Sequence, residues 1–228
     1  MASATRSQPP GFRAVGLVYL LYFLVAFCSA FLLKGLVAAG DATATAKNLL
    51  AHESAFRAAI SAGLLANTLY LALTALLYRI FAPVNANVSL VAAFIGAAGC
   101  TVQITGSVFQ LAPLVILRDR GLLHLFPTEQ LQASAGLSLA LHGQVFHLSL
   151  VLFAIYDLLI GMLIVKSTFL PRILGGLMML AGLGWLTFLW PPLAATSAVV
   201  VLPLGAFAEI ALMLWLLVKG ASVPLPQR

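Results

Sequence analysis

The chain has 228 residues, of which 62% are hydrophobic and only 8% charged, and its formal net charge is +6. Soluble domains average about 45–50% apolar and about 25% charged residues, so the composition excludes a water-soluble globular protein. The low charge also excludes intrinsic disorder, and two cysteines are too few for a disulfide scaffold. The composition therefore predicts an all-α, multi-pass membrane protein that forms a single domain over residues 1–228.

Six apolar stretches are long enough to cross a membrane, because a hydrocarbon core about 30 Å thick requires roughly 20 residues per helix. We expect Pro113 to end or bend the third stretch, whereas Pro127 followed by Thr128 indicates the start of the fourth helix. A short helix over residues 46–56 is predicted in the loop after the first stretch. The predicted spans are about 14–33, 58–78, 88–117, 143–165, 173–190 and 198–218, and the tails 1–12 and 221–228 are predicted to be flexible.

The distribution of basic residues predicts the orientation of the chain. With six spans, both tails and the 2–3 and 4–5 loops lie on one side, which holds seven cations and no acids; the other side holds five cations and four acids. Both termini are therefore predicted to be cytoplasmic, since cytoplasmic loops are enriched in lysine and arginine. No basic run is dense enough to follow a phosphate backbone, so the expected partner is the lipid bilayer and not nucleic acid. The seven cations are Arg6, Arg13, Arg79, Lys166, Arg172, Lys219 and Arg228.

Several segments along the chain form a recognisable pattern. They are residues 16–20 in the first span, Gly40-Asp41-Ala42 in the first loop, residues 77–79 and 83–85 after the second span, the specific run 167–175, and Glu209 with residues 214–220. In these segments the chain resembles a bacterial membrane protein family described as domain of unknown function 4386. The resemblance implies a six-helix topology in the bacterial inner membrane, and it implies no established activity.

Two acidic residues lie inside predicted spans. Asp157 precedes Lys166 by nine residues and Glu209 precedes Lys219 by ten, so both carboxyl groups are predicted near the middle of the membrane at similar depth. A charge at that depth costs about 2.5–3.5 kcal/mol on insertion scales, which makes such a residue a candidate for function. If the two helices adjoin, the acids are expected to share one proton. The alternative is that each acid only holds helices together by hydrogen bonds.

Other polar residues fall at helical spacing on the remaining spans. We predict that Tyr22, Asn67, Tyr70 and Gln103 line a polar cavity in the middle of the membrane together with the two acids, where a small lipophilic ligand or a proton binds. The alternative is ordinary packing, because amides and small residues commonly join membrane helices.

The four histidines, His52, His124, His142 and His147, are all predicted in the outer loops or the outer half of the membrane. They provide zinc-binding chemistry, but their spacing does not favour a metal site. His142 and His147 are five residues apart, about 140° around a helix, so they do not chelate one ion together.

Three functions are compatible with these features. The favoured one is an uncharacterised multi-pass membrane protein that binds or carries a small or lipophilic solute through the polar cavity. The alternatives are a membrane enzyme with a histidine–metal site acting on lipid, and a non-catalytic scaffold or accessory subunit. The sequence contains no motif for a cofactor, and an enzymatic role is the less favoured reading.

Overall fold

A computed structural model of the protein describes residues 11–219. Within this range all regular secondary structure is helical, and six helical segments are long and apolar enough to cross a membrane. The prediction of an all-α fold with six candidate spans is therefore confirmed. The helices are α1 Phe12–Leu33, α2 Ala42–Ala51, α3 Glu53–Phe81, α4 Ala86–Arg118, α5 Arg120–Leu125, α6 Thr128–Lys166, α7 Arg172–Trp185 and α8 Pro191–Val218, with a 3-10 turn, Leu186–Leu189, extending α7.

Three of the helices begin at or directly after a proline, whereas the proline that was expected to end or bend the third span does not end it. Helix α6 begins at Thr128, directly after Pro127, as predicted. Pro171 precedes α7, and Pro191 is the first residue of α8, where its missing N–H leaves no helical hydrogen bond unmade. By contrast, α4 continues through Pro113 to Arg118, so this proline does not end the helix.

The loop after α1 folds differently from the predicted short helix over residues 46–56. Its helix, α2, begins earlier because the Asp41 side chain caps it, with Oδ1 accepting the Ala44 N–H at 2.8 Å. It ends at Ala51 because His52 has φ −120° and ψ 37°, outside the helical range, and Glu53 then begins α3. The capping geometry shifts the short helix toward the N-terminus and joins the rest of the segment to the second span.

The chain packs as two compact units. The first contains the described residues up to Leu20, Leu71–Ala97 and the described residues from Leu152 onward; the second contains Leu21–Tyr70 and Ala98–Val151.

An aromatic cluster forms part of the core of the first unit. The ring of Phe12 lies 5.3 Å from that of Phe169 and 6.5 Å from that of Trp215, and Phe81 stacks on Phe169 at 6.1 Å. Phe12 is the last residue of the predicted N-terminal tail, and it begins α1 and is buried. The remainder of that tail before Gly11, and the predicted C-terminal tail 221–228, lie outside the described residues.

The second unit has a core in which the loop after α1 packs onto the long helices. Leu36 and Leu49 from this loop are buried against Phe56 and Ile60 of α3 and Leu114 of α4. Two hydrogen bonds within the loop also stabilise it. The Thr45 hydroxyl accepts the Ala38 N–H at 3.0 Å and donates to the Ala38 carbonyl at 3.1 Å. The loop is therefore an ordered part of this unit.

Candidate functional site

Glycines bring α6 and α7 of the first unit into backbone contact. A Cβ added to Gly161 would stand 2.6 Å from the carbonyl oxygen of Gly175, and a Cβ on Gly175 would stand 2.6 Å from that of Gly161. Further along, a Cβ on Gly182 would stand 2.6 Å from the carbonyl oxygen of Ala154. Small residues permit such close approach of membrane helices, and side chains between them are consequently enclosed.

Asp157 lies in this α6–α7 seam. Its own Cβ is 3.2 Å from the position that a Cβ on Gly182 would take, and the residue has 0% of its surface exposed. Neither carboxyl oxygen has a hydrogen-bond partner among residues 11–219. Buried polar side chains nearly always have such a partner, so this acid is held in a position that its own hydrogen bonding does not explain.

Glu209 of α8 is the second buried acid of the first unit. It is 4% exposed and lies within electrostatic range of Asp157. Two carboxylates in such surroundings repel each other, and each is costly to charge away from water. The first unit therefore contains two buried acids that interact with each other electrostatically.

Trp185 of α7 packs against α8 near Glu209. Its indole packs against Gly205, which lies one turn before Glu209, and Trp185 itself follows Gly182 by three residues on α7. The indole Nε1 is buried and finds no acceptor within the part of the chain that the structure describes. The face of α7 that meets Asp157 thus also supplies a buried N–H donor.

The other four residues predicted for the cavity all belong to the second unit. The rings of Tyr22 and Tyr70 are in edge contact, with centroids 4.8 Å apart and planes at 65°. Asn67 donates its side-chain N–H to the Gly63 carbonyl of its own helix at 3.0 Å, and Gln103 is partly buried on α4. The structure therefore brings Tyr22 and Tyr70 together, and it directs the Asn67 amide to its own helix.

The four histidines have separate surroundings. His142 Nδ1 lies 3.0 Å from the carbonyl oxygen of Gly106, within hydrogen-bond distance. His147 lies with its ring 6.1 Å from that of Phe146, while His52 and His124 are exposed. Across residues 11–219, no three histidine, cysteine, aspartate or glutamate side chains come together in a group able to hold a metal ion.

Sequence reasoning did not identify Gly182, Trp185 or Gly205 as parts of the site. Gly182 and Trp185 fall within an apolar stretch whose faces look alike in the sequence, and Gly205 is the single glycine of the last predicted span, residues 198–218, where it resembles an ordinary small packing residue. The available signal was the spacing: Gly205 precedes Glu209 by one helical turn, and small residues near a buried acid indicate a close helix contact.

Comparison with known proteins identifies a family for the chain but no similar curated protein or solved structure. No curated protein and no solved structure matches the chain significantly. One family model matches residues 14–220, which is most of the chain, and its description is Domain of unknown function (DUF4386). With six described helices long and apolar enough to span a membrane, the chain is a membrane protein that belongs to the DUF4386 family.

Proposed function

We propose that this protein is a proton-linked membrane carrier, in which Asp157 and Glu209 bind a proton and exchange it for a small lipophilic solute. The proposal includes a location in the bacterial inner membrane with both termini in the cytoplasm. The excess of cations in the tails and in the 2–3 and 4–5 loops favours this orientation of the termini.

The observation that carries the proposal is the state of Asp157. An acid kept only to hold helices together would be expected to hydrogen-bond across the helix contact, because that bond is its contribution to stability. Asp157 is fully buried, yet neither of its oxygens has a partner among the described residues, and a second acid lies within electrostatic range. This arrangement is unfavourable for folding and is suited to binding a proton or a cation.

The charge of the pair also favours one class of solute. Two acids that share a proton interact most favourably with a solute that carries a positive charge. If the solute also has an apolar surface, it can replace the proton in this dry, apolar environment without bringing water with it. A lipophilic cation therefore fits the proposal best. Binding of such a cation is expected to release one proton.

The first experiment follows the carboxyl groups themselves. The purified full-length protein is titrated while its infrared spectrum is recorded, because a protonated acid and a carboxylate absorb at different frequencies. Asp157→Asn and Glu209→Gln are each expected to remove a titrating signal of the pair. Glu129→Gln is the matched control, because Glu129 is an exposed acid in the first turn of α6 and should leave that signal unchanged.

The second experiment tests exchange, with tetraphenylphosphonium as the lipophilic cation. Its affinity for the protein should fall by up to about tenfold for each unit decrease in pH, the limit for competition with one proton. Asp157→Asn and Glu209→Gln should each weaken binding, and the two substitutions together should abolish this pH dependence. If both acid substitutions change only thermal stability, with no effect on the infrared titration or on cation binding, the acids are structural and the proposal is wrong.

A further inference from the structure

A separate pocket lies in the second unit, where α1 ends and the ordered loop begins. Its volume is about 420 Å³, within the usual range for ligand sites. One part of its lining is apolar, with Phe31 and Leu32 from the last turn of α1. The other part is polar, with Lys34, Asn48 and His52.

The pocket is held in shape by the turn that follows α1. Gly35 has φ +80°, a conformation that side-chain-bearing residues rarely adopt, and it reverses the chain directly after Lys34. The Leu36 N–H closes this turn on the Leu33 carbonyl at 3.1 Å, and the Asn48 side chain donates to the Gly35 carbonyl at 3.4 Å. Because its wall is already ordered, a ligand does not have to organise the loop.

The charge of the pocket is positive. Lys34 is exposed and forms no ion pair with any residue in the range 11–219, and none of the described lining residues is acidic. The nearest acid in sequence to His52 is Glu53, whose oxygens are occupied by Arg57 at 2.8 Å and Arg118 at 2.6 Å. The ammonium group of Lys34 and the ring N–H of His52 are therefore available to an anion.

The position of the pocket selects the kind of anion. The apolar run of α1 ends at Leu33, so Lys34 lies where the hydrocarbon gives way to lipid headgroups. Phe31, one turn earlier, is 76% exposed and faces the level of the acyl chains. A ligand that reaches both parts of the pocket has a phosphate next to an apolar chain.

We propose that this pocket binds one anionic phospholipid, with its phosphate on Lys34 and His52 and the start of an acyl chain against Phe31 and Leu32. The site is independent of Asp157 and Glu209, so it stands whether or not the proton-linked function does. Its role is to hold a lipid at the membrane end of the ordered loop.

The test measures lipid binding to the purified full-length protein by native mass spectrometry, with dioleoyl phosphatidylglycerol as the anionic probe and dioleoyl phosphatidylcholine as the zwitterionic one. Lys34→Gln should weaken phosphatidylglycerol binding about tenfold, the usual scale for one charge-assisted hydrogen bond, and Lys34→Arg should retain it. Lys47→Gln is the matched control: it removes one exposed positive charge from α2, in the same loop, but does not line the pocket. It should change the affinity by less than about twofold.

Three results would overturn the proposal. One is an equal loss in Lys34→Gln and Lys47→Gln, which would show attraction by net charge without a site. Another is equal binding of the two lipids that survives Lys34→Gln, which would reduce the pocket to an apolar groove. The third is displacement of the lipid by millimolar inorganic phosphate alone, which would make this a site for the free ion. Thermal unfolding of each variant confirms that the exposed substitutions leave the fold intact.

Discussion

Substitution of Gly205 by alanine tests the contact between α7 and α8 on which the position of Glu209 depends. The added Cβ would stand 2.5 Å from Trp185 Cε2 and 2.6 Å from its Nε1. Carbon atoms pack best at about 3.5–4.0 Å, so the indole and the helix would have to separate by about 1 Å. Trp185 is only 8% exposed, and a rigid buried ring has little room to turn away. Overpacking of this kind typically costs about 1–3 kcal/mol, and we expect a loss in that range.

The assay unfolds the full-length protein in mixed micelles with increasing concentrations of a denaturing detergent. Circular dichroism monitors the loss of helix. Gly176→Ala is the matched control because Gly176 lies in α7, is exposed, and an added Cβ there has no atom within 4 Å. The control should be neutral or up to about 1 kcal/mol more stable, as expected for alanine in place of glycine in a helix. In a Trp185→Leu background, Gly205→Ala should lose most of its effect, because the two changes act on one contact. The reasoning is refuted if Gly205→Ala is as stable as Gly176→Ala, since the indole would then not be confined against α8.

Two further predictions concern the start of α2 and the orientation of the chain. Asp41→Ala removes the acceptor of the Ala44 N–H and should destabilise the protein by about 1 kcal/mol, with faster amide exchange in α2, whereas Asp41→Asn should retain most of the stability. Equal amide exchange in the two variants would show that the side chain does not cap the helix. Fusions of a fluorescent protein to either end should be fluorescent and fusions of a phosphatase inactive, because both termini are predicted to be cytoplasmic; an active phosphatase at either end would contradict that orientation.

The sequence was sufficient for the features that depend on local chemistry. Apolar length alone identified the six candidate spans, and Pro127 followed by Thr128 predicted the first residue of α6, because proline favours the first positions of a helix. The same local reasoning was wrong for the short helix after α1. There, the cap at Asp41 and the backbone angles of His52 decided the boundaries, and neither is visible in hydropathy.

The candidate site depended more on tertiary contacts. The distances to Lys166 and Lys219 predict a similar membrane depth for Asp157 and Glu209, but they say nothing about the surroundings of Asp157. Those surroundings result from backbone contacts at Gly182 and from the packing of Trp185 on Gly205, and apolar spans of similar composition give no sign of which faces meet. The direction of the Asn67 amide toward its own helix was equally unpredictable, because the residue has the same spacing in either role.

The complete enclosure of Asp157 has a kinetic consequence. With no exposed surface, its carboxyl group can exchange with the surroundings only when α6 and α7 separate briefly, and helices joined by backbone contacts do so rarely. The waiting time for such an opening, and not the affinity of the acid, then sets how fast its occupancy follows a change outside. If Asp157 binds a proton as proposed, the protein responds to the average acidity over many openings and not to brief fluctuations.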